Sequence, residues 1–298
     1  MFPKELKTKE QIKEAIISVV VFFDLFDYPL SDYEIWKYLD KGADFLELKE
    51  VLNGLSELEN KNGFFFLKGR EEILVSRRKR HNYSQRKIKI ARRFAAIFKI
   101  LPWVKLIILS NSMGQFNLRD GSDIDFFIIT SPRRIWLTRF FCAGLAALLN
   151  SRPKSGNKRD KICLSFYITS DNLNLDSLKL PSYDPYFFFW LRSFILLYNK
   201  DNIYERFLAE NKLLSLTNES TFDYNSQNKK QARFFDYLEI FIKKFQLLIM
   251  SPVLKKAINN SVGVVVNDNI LKFYLLDRRL EYAEKYGNKF EQIFKKNN

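Results

Sequence analysis

Two nearly continuous apolar runs, VKLIIL at 104–109 and FFII at 126–129, flank the stretch SNSMGQFNLRDGSDID, which sets Asp123 and Asp125 at the threshold of the second run. A short run that is apolar at every position reads as a central strand covered on both faces. Side chains alternate faces along a strand, so the two carboxylates project to the same side, about 7 Å apart. Placed so, they repel by roughly 2 kcal/mol at an effective dielectric of about 20. A bridging divalent cation would offset that repulsion.

The first run breaks into Ser110, Asn111, Ser112, Met113 and Gly114, small and polar residues that mark a tight turn. A helix starting near Ser112 would offer free backbone N–H groups and the Ser112 hydroxyl to an anion, most simply a phosphate. The chain thus presents an anion-binding turn on one strand end and an acid pair on the next.

These residues resemble the nucleotidyltransferase superfamily that includes DNA polymerase beta, whose signature is Gly-Ser, about ten residues, then Asp-x-Asp. Asn111 and Ser112 precede Asp123 by that interval. The order of elements is also similar to the family's core: a helix from about Tyr83 to Ile100, strands at Val104 and Asp123, a helix from Pro132 to Leu149 and a strand from Ile162 to Ile168. The resemblance implies two Mg²⁺ ions on Asp123 and Asp125, and ATP or another NTP cradled by Asn111, Ser112 and Ser122. A hydroxyl of a small molecule, protein or RNA would attack the α-phosphate and release pyrophosphate.

The chain departs from the pattern twice. Asn111 stands where the family has Gly; asparagine tolerates left-handed backbone best among the other residues, but its side chain crowds a triphosphate. The family's third carboxylate normally lies on the later strand, whereas ICLSFYI at 162–168 holds no acid. Asp160 precedes that strand and Asp171 follows it, so either is a candidate third ligand or base. If neither serves, the alternative is a non-catalytic regulatory protein that binds nucleic acid or protein on a degenerate core.

The single His81 leaves little basis for a histidine metal site or a Ser/His triad, and Cys142 and Cys163 sit in apolar patterns where thiols act as small hydrophobes. The longest central apolar run, FFCAGLAALL at 140–149, is too short to span a bilayer, and the charged segment before Glu14 does not read as a signal peptide. No membrane partner and a cytoplasmic location are the resulting expectations.

Residues 1–80 show helical patterns at Gln11–Phe26, Ser31–Leu39 and Phe45–Asn60, then strands at Phe64–Lys68 and Glu72–Ser76 around Gly69 and Arg70. Three helices followed by a hairpin resemble a winged helix. Its candidate recognition helix carries Glu47, Glu50, Glu57 and Glu59, which phosphates would repel. Positive charge gathers just beyond, at Arg77, Arg78, Arg80, Arg86 and Lys87, in a chain with 49 Lys and Arg against 34 Asp and Glu. This patch is the candidate nucleic-acid contact.

After Asp184, Phe187, Trp190, Leu191, Phe194 and Leu197 fall at helical spacing, as do Phe234, Tyr237, Leu238, Phe241, Phe245 and Leu248; both stripes read as core. Residues 214–232 read as a linker, and Asn269–Phe294 as a last helix. The expected fold is α+β: a polymerase-beta-like nucleotidyltransferase core (mixed sheet with flanking helices) at 81–180, between a winged-helix-like domain at 1–80 and a helical C-terminal domain at 181–298.

Overall fold

A computed structural model describes residues 8–39, 43–110, 116–154, 156–213, 233–258 and 263–295. In chain order the elements are α1 (Lys9–Asp24), α2 (Asp32–Tyr38), α3 (Phe45–Asn53), β1 (Leu58–Lys61), β2 (Phe64–Leu67), α4 (Ile73–Phe98), β3 (Val104–Leu109), β4 (Ile124–Thr130), α5 (Ile135–Leu148) and β5 (Ile162–Thr169). There follow α6 (Pro185–Arg192), β6 (Ile195–Asn199), α7 (Ile203–Glu210), α8 (Arg233–Ile249), α9 (Pro252–Ala257), β7 (Val264–Val266), β8 (Ile270–Phe273) and α10 (Arg279–Lys295). The protein is α+β with a mixed sheet. No helix among the described residues is long and apolar enough to cross a membrane.

The chain groups into two compact units rather than three consecutive blocks at 1–80, 81–180 and 181–298. One comprises Met1–Tyr83, Leu180–Arg192 and Arg278–Asn298; the other comprises Ser84–Lys179 and Ser193–Asp277.

In the first unit each short helix begins on a side chain that satisfies a free amide: Thr8 accepts from Gln11, Ser31 and Glu34 form a reciprocal capping box, and Asp44 accepts from Leu46 and Glu47. Phe22, Phe23, Leu30, Ile35 and Leu48 pack with Phe189 of α6 and Tyr286 of α10. The hairpin lies one strand earlier than expected. Asn62 and Gly63, both left-handed (φ 55° and 77°), turn β1 into antiparallel β2, as an Asn-Gly pair favours. The third helix therefore stops at Asn53, and the segment Glu72–Ser76 is not a strand. After the turn at Gly69 the chain enters α4 at Ile73, ten residues before the expected start.

In the second unit six strands lie in the order β6-β3-β4-β5-β8-β7, with β4 and β5 parallel and every other pair antiparallel. Ile107, Leu109, Ile124, Phe126 and Ile128 turn toward Ala91 and Phe98 of α4 and Ile135 and Trp136 of α5. The alternate residues take the opposite face, where Phe127 stacks on Phe166 at 4.5 Å and meets Phe194 and Phe207. Helix α5 has no local cap; Glu239 of α8 reaches its start and accepts from the amides of Trp136 and Leu137 at 2.9 Å.

Three later expectations need correction. Helix α6 ends at Arg192, and ILLYN is strand β6, so Phe194 and Leu197 do not continue its stripe; a short apolar run carries little periodicity with which to separate helix from strand. Residues 264–273 form a hairpin, closed by Asn267 Oδ1 accepting from the amides of Asn269 and Ile270, and helix resumes only at Arg279. On α8, Phe234, Tyr237, Phe241, Phe245 and Leu248 are exposed, while Glu239, Ile242 and Gln246 turn inward. The expected linker at 214–232 lies outside the described residues.

Candidate metal centre

Asp123 and Asp125 do share a face at the start of β4. The parallel register sets Cys163, second residue of β5, directly beside Asp125. One ligand atom from each of Asp123, Asp125 and Cys163 falls within 4.8 Å of the others, and all three residues are half-buried. On the other side, Ser110 follows β3 and donates its amide to the Asp125 carbonyl at 3.1 Å. Since Leu109 pairs with Phe126, Ser110 stands opposite Asp125 and on its face of the sheet. Three neighbouring strands thus contribute a row, Ser110, Asp125 and Cys163, with Asp123 one step ahead. Asn111 and Ser112, the expected phosphate binders, lie outside the described residues.

Neither expected third acid joins the pair: among the described residues Cys163 completes the group. Asp160 faces away into a basic lock. The fully buried Lys87 donates to its carboxylate at 2.7 Å and to the Asp120 and Ser122 carbonyls at 3.0 and 2.6 Å, and Arg86 bonds both Asp160 and Asp120 at 3.1 and 2.6 Å. Burial acts to raise the Asp160 pKa, but the hydrogen bonds from Lys87 and Arg86 prevail and hold its carboxyl below the usual range. Asp171 follows the far end of β5, about 20 Å along the strand from Cys163 at the usual rise per residue. It cannot reach the acid pair. Ser122, expected at the nucleotide, turns its hydroxyl back on the Arg119 carbonyl at 2.8 Å and closes the loop.

The donor set suits a divalent cation. Two carboxylates satisfy the preference of Mg²⁺ for oxygen, while Cys163 differs in kind: burial, with Asp125 beside it, pushes the thiol pKa far up. Without a metal it remains a thiol, 2.9 Å from Ser165 Oγ.

The basic patch serves mostly inside the protein. Arg77 lies over the rings of Tyr28 and Phe64 and donates to the Pro29 carbonyl and Glu34. Arg80 donates to the Phe26 carbonyl and to Asp27, and Arg86 and Lys87 form the lock. Of the five expected nucleic-acid contacts, Arg78 is the exposed one.

Sequence reading missed Cys163 as a partner of the acids. A signal existed: ID opens β4 and IC opens β5, so aligning the two strand starts pairs Asp125 with Cys163. The anchors Lys87 and Asp160 carried no comparable signal, being 73 residues apart.

No family model, curated protein or solved structure matches this chain.

Proposed function

We propose that the chain is a metal-dependent nucleotidyltransferase on a polymerase-beta-like core, moving a nucleoside monophosphate from an NTP to a hydroxyl acceptor. The observation that carries this reading is the convergence of Asp123, Asp125 and Ser110 on one face, at one end, of adjacent strands. Asp123 and Asp125 would hold the divalent metal. When bound, the ions supply charge neutralisation on the phosphates and polarise the one under attack. Lys87 and Arg86 brace the loop that delivers the acids, and Asn111 and Ser112 take the triphosphate in this reading.

The test is incubation of the chain with Mg²⁺, Mn²⁺, Zn²⁺ or Co²⁺, each α-labelled NTP and cell extract as acceptor, beside an Asp123→Asn, Asp125→Asn double variant. Equal labelling by both proteins would sink the proposal.

One observation favours a second reading. Cys163 occupies the place where the resemblance expects the third acid, which removes the simplest proton acceptor and suits a regulatory protein that binds nucleic acid or protein without catalysis. The three helices and hairpin of the first unit would then be a winged-helix-like binding module. Against nucleic acid stand the internal partners of Arg77, Arg80, Arg86 and Lys87. A salt series of gel shifts decides the point, since several phosphate contacts make affinity fall steeply with salt.

A further inference from the structure

We infer that Asp123, Asp125 and Cys163 form a mixed oxygen and sulfur site that selects a thiophilic divalent ion, of the Zn²⁺ or Co²⁺ class, over Mg²⁺. The inference rests on the reading of the acid pair as metal ligands and specifies which ions that pair takes.

The geometry supports three donors to one ion. Their ligand atoms lie within 4.8 Å of one another. A tetrahedral ion with bonds of about 2.0 to 2.3 Å holds its ligand atoms about 3.5 Å apart. Side-chain rotation closes that difference, because the three residues are half-buried on a rigid sheet and the register already aligns Asp125 with Cys163. Sulfur decides the selectivity. Thiolate is a soft donor that suits Zn²⁺ and Co²⁺, whereas Mg²⁺ demands oxygen and keeps its water. As the metal–sulfur bond forms, the thiol proton passes to solvent.

Two neighbours fit the same ligand. Ser165 Oγ, 2.9 Å from Cys163 Sγ, can donate to the thiolate and orient it, as groups behind a metal ligand commonly do. Ser110 is an independent observation. Its side chain is fully buried, it stands on the face of Asp125 and Cys163, and its Oγ has no hydrogen-bond partner. Buried hydroxyls are rarely left so. A water or substrate oxygen on an ion with an open fourth position is the kind of partner this hydroxyl lacks.

Cobalt is the probe. The full-length chain, stripped with a chelator and kept reduced, is titrated with Co²⁺ while its near-ultraviolet spectrum is followed. A thiolate-to-cobalt charge-transfer band should grow to saturation, vanish on adding Zn²⁺, and survive a large excess of Mg²⁺. Cys163→Ser should lose the band and bind Co²⁺ at least about tenfold more weakly, whereas Cys142→Ser, which changes the other cysteine, should keep both. Cys163→Asp should let Mg²⁺ compete, and its melting curve shows whether it is folded. Cobalt bound through Asp123 and Asp125 without the band overturns the sulfur ligand and spares the acid pair. Absence of cobalt binding, or binding unchanged in the Asp123→Asn, Asp125→Asn variant, overturns the metal reading of the pair and this inference with it.

Discussion

Two acid pairs border one short loop and differ in what surrounds them. Asp120 and Asp160 are met by the protein's own cations, Arg86, Lys87 and Arg159. Asp123, three residues after Asp120, takes no ion pair among the described residues, and its neighbours Asp125 and Cys163 add acid and thiol rather than positive charge. Arg86, Lys87 and Arg159 are committed to Asp120 and Asp160. Lys87 in particular spends its three donors on the Asp120 and Ser122 carbonyls and on Asp160, which pins the loop on both sides of Gly121. A like-charged pair can be held on an apolar sheet when a neighbouring network supplies the rigidity that its own repulsion would undermine.

The sharpest way to break this contrast is to neutralise Asp123 and Asp125. Asp123→Asn with Asp125→Asn should abolish nucleotide labelling, a fall on the order of 1,000-fold given the loss of the charge that holds the ions. It should leave the metal-free protein within about 1 kcal/mol of the parent, because the amides keep the shape of the carboxylates while the like charge between them is removed. A large drop in melting temperature would mean that the acids are structural. Lys87→Met tests the other side: removing one partner from a buried charged network typically costs about 3 to 5 kcal/mol, and here two loop carbonyls also lose their donor. Denaturant unfolding should show a loss of about 3 kcal/mol. A loss below about 1 kcal/mol would show that the loop is held some other way.

The two sides also differ in how far sequence alone discloses them. Strand β3 and the same-face placement of Asp123 and Asp125 follow from local signals: an apolar run, a polar break and a period of two. Their surroundings are harder to read, since Cys163 joins through a parallel register that shows only when the strand starts ID and IC are aligned, and the Lys87–Asp160 contact joins residues 73 apart. The hairpin in the first unit was locally visible in Asn62-Gly63, but the apolar ILV at 73–75 imitates a strand while forming the start of α4. Helix α8 shows a different limit. Its aromatic stripe has the period of a buried face, yet the side that packs carries Glu239 and Gln246, whose bonds to Trp136 and Leu137 of α5 orient the helix. Periodicity identifies a helix face without saying what covers it.

Smaller changes grade the lock itself. The Asp160 carboxyl titrates below its unfolded value near pH 4, so its ionised form contributes stability above that pH and loses the contribution as pH falls through the lower, folded value. Asp160→Asn keeps the shape but strands the buried Lys87 charge. It should cost about 2 kcal/mol at neutral pH, and the gap from the parent should narrow as acid protonates Asp160. A gap that holds constant from pH 7 to pH 2 would remove Asp160 from the lock. Arg159→Ala should come last. Its side chain is 59% exposed and its nitrogens stand 3.3 Å from Asp120 and 3.9 Å from Asp160, and such solvent-screened pairs contribute between about 0 and 1 kcal/mol. A melting temperature close to the parent's is expected. A loss as large as that of Lys87→Met would mean that the rim and the buried amine act as one unit, and the contrast with Asp123 would then depend on the whole cation cluster.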